Sequence, residues 1–178
     1  MNPRTREAGM NVFEVAMKME DDGKAYYQKL AAQTAHEGLH KIFLQLAEDE
    51  QKHHDIFKRL KEKTPTSMQK STALEQAKNV FETLIASRTN LTIAGDLDGY
   101  RHAMKLEANS FRFYEEAAAK EQDAKVKELL LQIAGEEQKH FNILQNVYDF
   151  VNAPNQFLAW AEFSNLGEFR NFGRDSTI

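Results

Sequence analysis

Glutamates and histidines recur in this chain at a spacing that suits metal binding. Two segments each place a glutamate thirty residues before a Glu-x-x-His motif. The six residues are Glu20, Glu50, His53, Glu107, Glu137 and His140. Carboxylate oxygens combined with imidazole nitrogens suit iron or manganese, with zinc as an alternative, and they disfavour Cu(I). The pattern therefore predicts a metal centre with four carboxylate and two imidazole ligands.

The two segments are copies of one unit. Residues 16–57 align without gaps to residues 103–144, at an offset of 87, and 15 of the 42 aligned positions are identical. The identities include all six candidate ligands and a tyrosine, Tyr27 or Tyr114, seven residues after the first glutamate of each copy. An internal repeat of this kind predicts two equivalent structural units.

Each copy has apolar residues at helical spacing, interrupted near its middle. The first copy breaks between Thr34 and Gly38, and the second breaks at Gln122 and Asp123, where Asp123 suits a helix N-cap. Each copy therefore predicts a helical hairpin. The predicted fold is all-α, a four-helix bundle of two hairpins joined by a long, partly helical crossover over residues 65–97.

Helix geometry predicts that the six residues meet. About fourteen residues, or roughly 21 Å of helix, separate Glu20 from its turn, and about eleven residues, or roughly 17 Å, lead back to Glu50. The two glutamates then lie at one level, with His53 one turn along the same face. Four buried carboxylates would repel one another unless cations neutralised them. A single Glu-x-x-His is typical of a solvated helix face, but two matched copies favour a metal site.

With these motifs, residues 10–150 resemble the rubrerythrin-like branch of the ferritin-like di-iron carboxylate proteins. The resemblance implies two Fe ions, with Mn or Zn as alternatives, and one histidine on each metal. Glu50 and Glu107, or their partners, would bridge the ions. Tyr27 and Tyr114 would hydrogen-bond to ligand carboxylates, although packing in the core is the other interpretation of both tyrosines.

The chain departs from rubrerythrins in two respects. Its 178 residues contain no cysteine, so we expect it to differ from those proteins in having no rubredoxin domain. In the family that the chain resembles, an additional glutamate stands one turn before the ligand equivalent to Glu107, and here Met104 occupies that position. We therefore expect a simpler six-ligand site that depends on an external electron donor, such as a rubredoxin-like protein.

The leading functional interpretation is a non-haem di-iron oxidoreductase of the rubrerythrin-like type. It would reduce peroxide or O2, or oxidise Fe(II), with the six ligands as its catalytic residues. One alternative is a ferritin-like subunit for iron storage or metal buffering. Another is a metal-binding bundle without redox chemistry.

Composition excludes several other classes. The net charge of -4 and the lack of a basic cluster disfavour nucleic-acid binding. No apolar run approaches the roughly 20 residues of a membrane span, and the first nine residues are too polar for a secretory signal. We therefore expect a cytoplasmic protein without membrane or nucleic-acid partners.

The predicted bundle occupies residues 1–152, and residues 153–178 form an aromatic-rich tail. The tail carries an apolar residue at every third position: Phe157, Trp160, Phe163, Leu166, Phe169 and Phe172. We expect it to pack on the bundle or on a neighbouring subunit, within a homodimer or a larger assembly. His36 and His40, four residues apart, are interpreted as part of an exposed polar face rather than as a surface metal pair.

Overall fold

The computed structural model describes residues 11–87 and 97–154. Five helices and no strands are found in these two ranges. They are α1 (Val12–Gln33), α2 (Glu37–Lys61), α3 (Ala73–Ser87), α4 (Leu97–Lys120) and α5 (Ala124–Asn152). The prediction of an all-α fold is confirmed.

Local capping fixes where the helices begin. Asn11 and Glu14 form a reciprocal capping box at the start of α1, which satisfies amide groups that the helix itself leaves unpaired. The Asp123 carboxylate accepts hydrogen bonds from the backbone N–H groups of Lys125 and Val126, at 2.8 and 3.2 Å. The predicted N-cap of α5 is therefore confirmed.

The helices pack as two hairpins. Helix α1 packs along α2, and α4 packs along α5, each pair being joined by three residues. Between the hairpins, α1 contacts α4 and α2 contacts α5, which closes the four-helix bundle. Helix α3 contacts both α2 and α5, so it is the helical part of the crossover that carries the chain from the first hairpin to the second.

Two apolar clusters fill the bundle on either side of a polar layer. The larger cluster includes Phe43, Phe81, Tyr100 and Phe150, and the smaller one includes Phe57 and other buried residues of all four bundle helices. Along each of these helices, the candidate ligands fall between the residues of the two clusters. The carboxylates and imidazoles are therefore enclosed by packed side chains above and below.

The histidines near the first turn are not the exposed polar face that we expected. Both are half-buried. His36 is the N-cap of α2 and its ring nitrogen accepts a hydrogen bond from the Leu39 backbone, while His40 Nδ1 lies 2.8 Å from the Ala31 carbonyl oxygen. These contacts hold the turn between α1 and α2, because they satisfy backbone groups at the helix ends.

The aromatic tail lies outside the described residues from position 155 onward. Helix α5 ends at Asn152, at the predicted end of the bundle, but the division into bundle and tail stays a prediction. Among the helices that are described, none combines the length and the apolar character of a membrane span.

Candidate metal centre

The structure brings the six candidate ligands together in the middle of the bundle. Glu20 comes from α1, Glu107 from α4, and the two Glu-x-x-His motifs from α2 and α5. None of the six residues is more than 3% exposed. Because α2 and α5 each place a histidine one turn after a glutamate, both side chains of a motif face the interior.

The six residues form two groups that overlap. Within each group, one oxygen or nitrogen atom from every residue lies within 4.8 Å of the others. The first group contains Glu20, Glu50, His53 and Glu137, and the second contains Glu50, Glu107, Glu137 and His140. Glu50 and Glu137 belong to both groups, so they are the carboxylates that could contact two ions if metal were bound. Glu107 belongs to one group only, so which carboxylates bridge, Glu50 and Glu107 or their partners, stays a prediction.

The inner nitrogen of each histidine faces carboxylates from other helices. His53 Nδ1 lies 3.0 Å from Glu137 Oε1 and 3.4 Å from Glu20 Oε2. His140 Nδ1 lies 3.0 Å from Glu50 Oε1, and 3.7 Å from the nearer oxygen of Glu107. The two halves of the centre thus have matching geometry, as the repeat predicts.

Two buried tyrosines connect the hairpins across the centre. The Tyr27 hydroxyl donates a hydrogen bond to Glu107 Oε1, and the Tyr114 hydroxyl donates one to Glu20 Oε1. Each tyrosine belongs to one of the apolar clusters, so packing fixes its ring while its hydroxyl orients a carboxylate.

Burial changes the pKa values of the two carboxylates that belong to both groups. It raises the pKa of Glu50 and of Glu137 well above the ordinary value, and repulsion from the neighbouring glutamates raises both further. Burial also raises the pKa of Glu20, but hydrogen bonding and the charge of His53 outweigh burial, so the pKa of Glu20 lies below its ordinary value. The raised pKa values therefore fall on the two carboxylates that both groups contain.

The nearby carboxylates raise the pKa values of both histidines. Burial alone lowers the pKa of a histidine, yet the adjacent carboxylate of Glu20 and the charge of Glu50 raise the pKa of His53. Contacts with Asp49, Glu107 and Glu50 raise the pKa of His140 well above its ordinary value. Without metal, the centre thus gathers protons where cations would otherwise balance the negative charge.

The donor atoms fit a pair of metal ions. Several buried oxygen and nitrogen atoms of the centre have no hydrogen-bond partner within the described part of the chain: Glu20 Oε2, His53 Nδ1, Glu107 Oε2 and Glu137 Oε1. Buried polar atoms without partners are costly in a protein interior, so a cluster of them requires an explanation. Coordination of two divalent cations would satisfy these atoms and offset the charge of four carboxylates.

Two further acidic residues adjoin the centre, and the sequence reasoning missed both. Asp49 is 1% exposed and Glu136 is 4% exposed, each directly preceding one of the candidate ligand glutamates. Together with His140 they form a third group of possible ligand atoms. The internal repeat could have indicated these two residues, because Asp49 and Glu136 occupy equivalent positions at the offset of 87 and both are acidic.

Asp49 lies behind His140, on the side of the ring away from Glu50 and Glu107. Its Oδ2 lies 3.6 Å from His140 Nε2, while its other oxygen accepts hydrogen bonds from Lys52 Nζ at 3.0 Å and Gln45 Nε2 at 3.3 Å. Ser71, which follows α2 in the chain, also donates a hydrogen bond from its hydroxyl group to Asp49. These contacts and His140 overcome the effect of burial, so the pKa of Asp49 lies far below its ordinary value. The carboxylate is therefore charged and placed to orient the imidazole.

Two positions close to the candidate ligands in sequence, His54 and Met104, lie outside the centre. His54 belongs to neither group, and its ring lies 3.8 Å from Asp21 Oδ2 on the bundle surface. Met104 is buried in the larger apolar cluster, one turn from Glu107. A glutamate at that position would be introduced among apolar side chains.

Fold and centre together define a class of protein, the four-helix bundle whose facing helices present paired glutamates and histidines to its interior. The model of the Rubrerythrin family matches residues 11–148. The chain therefore belongs to the rubrerythrin family, and its buried glutamates and histidines are compatible with a di-iron site. No curated protein and no solved structure matches the chain significantly.

Proposed function

We propose that the chain is a non-haem di-iron oxidoreductase that reduces hydrogen peroxide or O2 with electrons from an external donor. The observation that carries this proposal is the pair of overlapping buried groups, each with three carboxylates and one imidazole. Oxygen-rich ligation with one imidazole per ion suits iron in both of its common oxidation states.

The six candidate ligands would hold two ions as two overlapping sets. Glu50 and Glu137 would contact both ions, while Glu20 with His53, and Glu107 with His140, would complete one position each. When bound, the iron pair supplies two electrons to a peroxide, which becomes two waters after it takes up two protons. The apolar clusters keep bulk water from the centre, so the carboxylate charges act in surroundings of low polarity.

The tyrosines hold protons beside the reacting centre. Burial raises the pKa of Tyr27 and of Tyr114 well above the ordinary value, and the charges of Glu107 and Glu20, respectively, raise it further. Each hydroxyl therefore keeps its proton and directs it at a carboxylate oxygen. This arrangement leaves the second oxygen of each carboxylate available for a metal.

The electrons must come from another centre. The 178 residues contain no cysteine, and so no thiolate-ligated iron that could pass electrons to the bundle. We propose a rubredoxin-like protein as the donor. Reoxidation of such a reduced donor by peroxide, dependent on the iron-loaded chain, would be the supporting result.

A peroxide reaction tests the proposal directly. The chain is loaded with Fe(II) without oxygen, mixed with hydrogen peroxide, and assayed for remaining Fe(II) against free iron. We expect faster oxidation than in free solution, with two Fe(II) consumed per peroxide. Glu137→Gln should lose both metal and reaction, whereas Glu128→Gln, an exposed change on the same helix, should preserve both. Oxidation no faster than that of free iron would refute the proposal.

We further propose that the chain assembles as a homodimer or larger, with residues 153–178 against a neighbouring subunit. Light scattering of the full chain and of a truncation after Asn152 tests this assembly. An unchanged oligomer after truncation would count against the role of the tail. A very large particle would instead favour the iron-storage alternative, because a storage shell needs many subunits.

A further inference from the structure

A polar pocket opens beside the metal centre. It has a volume of about 310 Å³ and lies between α2 and the connection that follows it, residues 62–72. Asp49 and His53 line it, together with Arg59 of α2 and with Ser67 and Gln69 of the connection. All but two of its lining residues are polar. The pocket therefore extends to Asp49 and His53, and its polar walls can accommodate a hydrated solute.

His53 lies between this pocket and the carboxylates of its ligand group. Its Nδ1 faces Glu20 and Glu137, while another part of the residue lines the pocket. The first group of ligands, to which His53 belongs, is thus the one adjacent to the pocket. His140 does not line the pocket, and its outer nitrogen faces Asp49 instead.

Approaches along the bundle axis are unfavourable for a charged solute. The larger apolar cluster closes one side of the centre and the smaller cluster closes the other, with Tyr27 and Tyr114 as the boundary residues. A divalent cation would lose its hydration shell among these side chains, at a cost of many kcal/mol. A lateral route with oxygen atoms along its walls avoids that cost.

We propose that this pocket is the entrance through which a hydrated divalent cation reaches the metal centre, arriving beside His53. The inference rests on the proposed function, since it assumes that the centre binds metal. The acidic residues Asp49 and Asp55 both line the pocket, and their negative charge attracts a cation inward. The charge of Lys52 is already offset by Glu48 and Asp49, at 3.3 and 3.0 Å.

The chain offers a matched test within one short segment. Ser67 and Gln69 are exposed residues that line the pocket, whereas Lys70 is exposed and does not line it. We expect Ser67→Trp and Gln69→Trp to slow Co(II) uptake by the metal-free chain severalfold, with unchanged final stoichiometry. Lys70→Trp should bind Co(II) at the original rate. Stopped-flow absorbance of the Co(II) bands measures uptake, and circular dichroism checks that the helices are retained.

Arg59 provides a test with the opposite sign. Its positive charge at the pocket wall opposes an incoming cation, so Arg59→Glu should accelerate Co(II) uptake severalfold. The acceleration should shrink as salt is added, because exposed charges are screened.

The outcomes separate the entrance from the metal centre itself. Uptake at the original rate in both tryptophan variants of the pocket, or equal slowing by Lys70→Trp, would overturn the entrance while leaving the centre in place. Failure of the unsubstituted chain to bind Co(II) at all would refute the metal centre, and the entrance with it.

Discussion

Gly23 gives a way to disturb the centre without removing a ligand. It is buried on α1, one turn after Glu20, and it faces the Glu50 carboxylate. A Cβ atom at this position would lie 3.0 Å from Glu50 Oε2 and 3.4 Å from Glu50 Cδ. The first distance is shorter than an ordinary nonbonded contact of about 3.5–4.0 Å, so in Gly23→Ala the carboxylate must move by several tenths of an ångström.

This substitution should affect stability and metal binding in opposite directions. Alanine in a helix interior is favoured over glycine by about 1 kcal/mol, which would raise the melting temperature of the metal-free chain by about 2–4 °C. Displacement of Glu50 reduces that gain. Because Glu50 belongs to both ligand groups, we expect the affinity for both ions to fall by about 10- to 100-fold, the range typical of changes beside a metal ligand.

Gly135 is the matched control. It lies inside α5, two residues before Glu137, and a Cβ added there would meet nothing within 4 Å. Gly135→Ala should therefore show the stability gain with unchanged metal binding. Calorimetric titration with Co(II) and thermal unfolding of the metal-free chains measure both quantities. Equal Co(II) affinity in the two variants would refute the placement of Glu50 as a shared ligand.

Three further predictions follow from the electrostatics and hydrogen bonds. Because folding raises the pKa values of Glu50 and Glu137, the free energy of unfolding of the metal-free chain should fall as pH rises through those values. Binding of Co(II) should release protons, so the affinity for Co(II) should increase with pH. An affinity that does not change with pH would contradict this. Asp49→Asn should weaken one of the two binding steps in a Co(II) titration by about tenfold, through its contact with His140; two unchanged steps would exclude that role. Tyr114→Phe leaves a buried carboxylate oxygen unpaired, so denaturant unfolding of the metal-free chain should show a loss of about 1–3 kcal/mol; no loss would mean that the hydroxyl contributes nothing.

Most of the fold was predictable because helices obey a fixed geometry. The repeat offset of 87, the apolar spacing and the breaks near Thr34 and Asp123 predicted two hairpins, and the structure confirms them. The apolar pattern over residues 73–87 also predicted the crossover helix. Each of these features depends on local sequence and on the 1.5 Å rise per residue of an α-helix.

The surroundings of the centre were less predictable, because they depend on segments distant in sequence. Asp49 is one residue from Glu50, and a rotation of about 100° would turn it away from the ligand face. It is buried because α5 brings His140 beside it and the connection after α2 brings Ser71. His36 and His40 were likewise misjudged as an exposed face, since their rings fold back onto the turn.

By itself, the sequence determined an all-α bundle, two matched hairpins and the level at which glutamates and histidines would face one another. Helical rise and rotation place residues along an axis and around it, and they need no knowledge of the neighbouring helix. Only the tertiary structure decided that Glu50 and Glu137 are the shared carboxylates, that Asp49 lies behind His140, and that a polar pocket reaches His53. These outcomes depend on distances between helices of a few ångströms, which are set by side-chain packing and by the path of the connection.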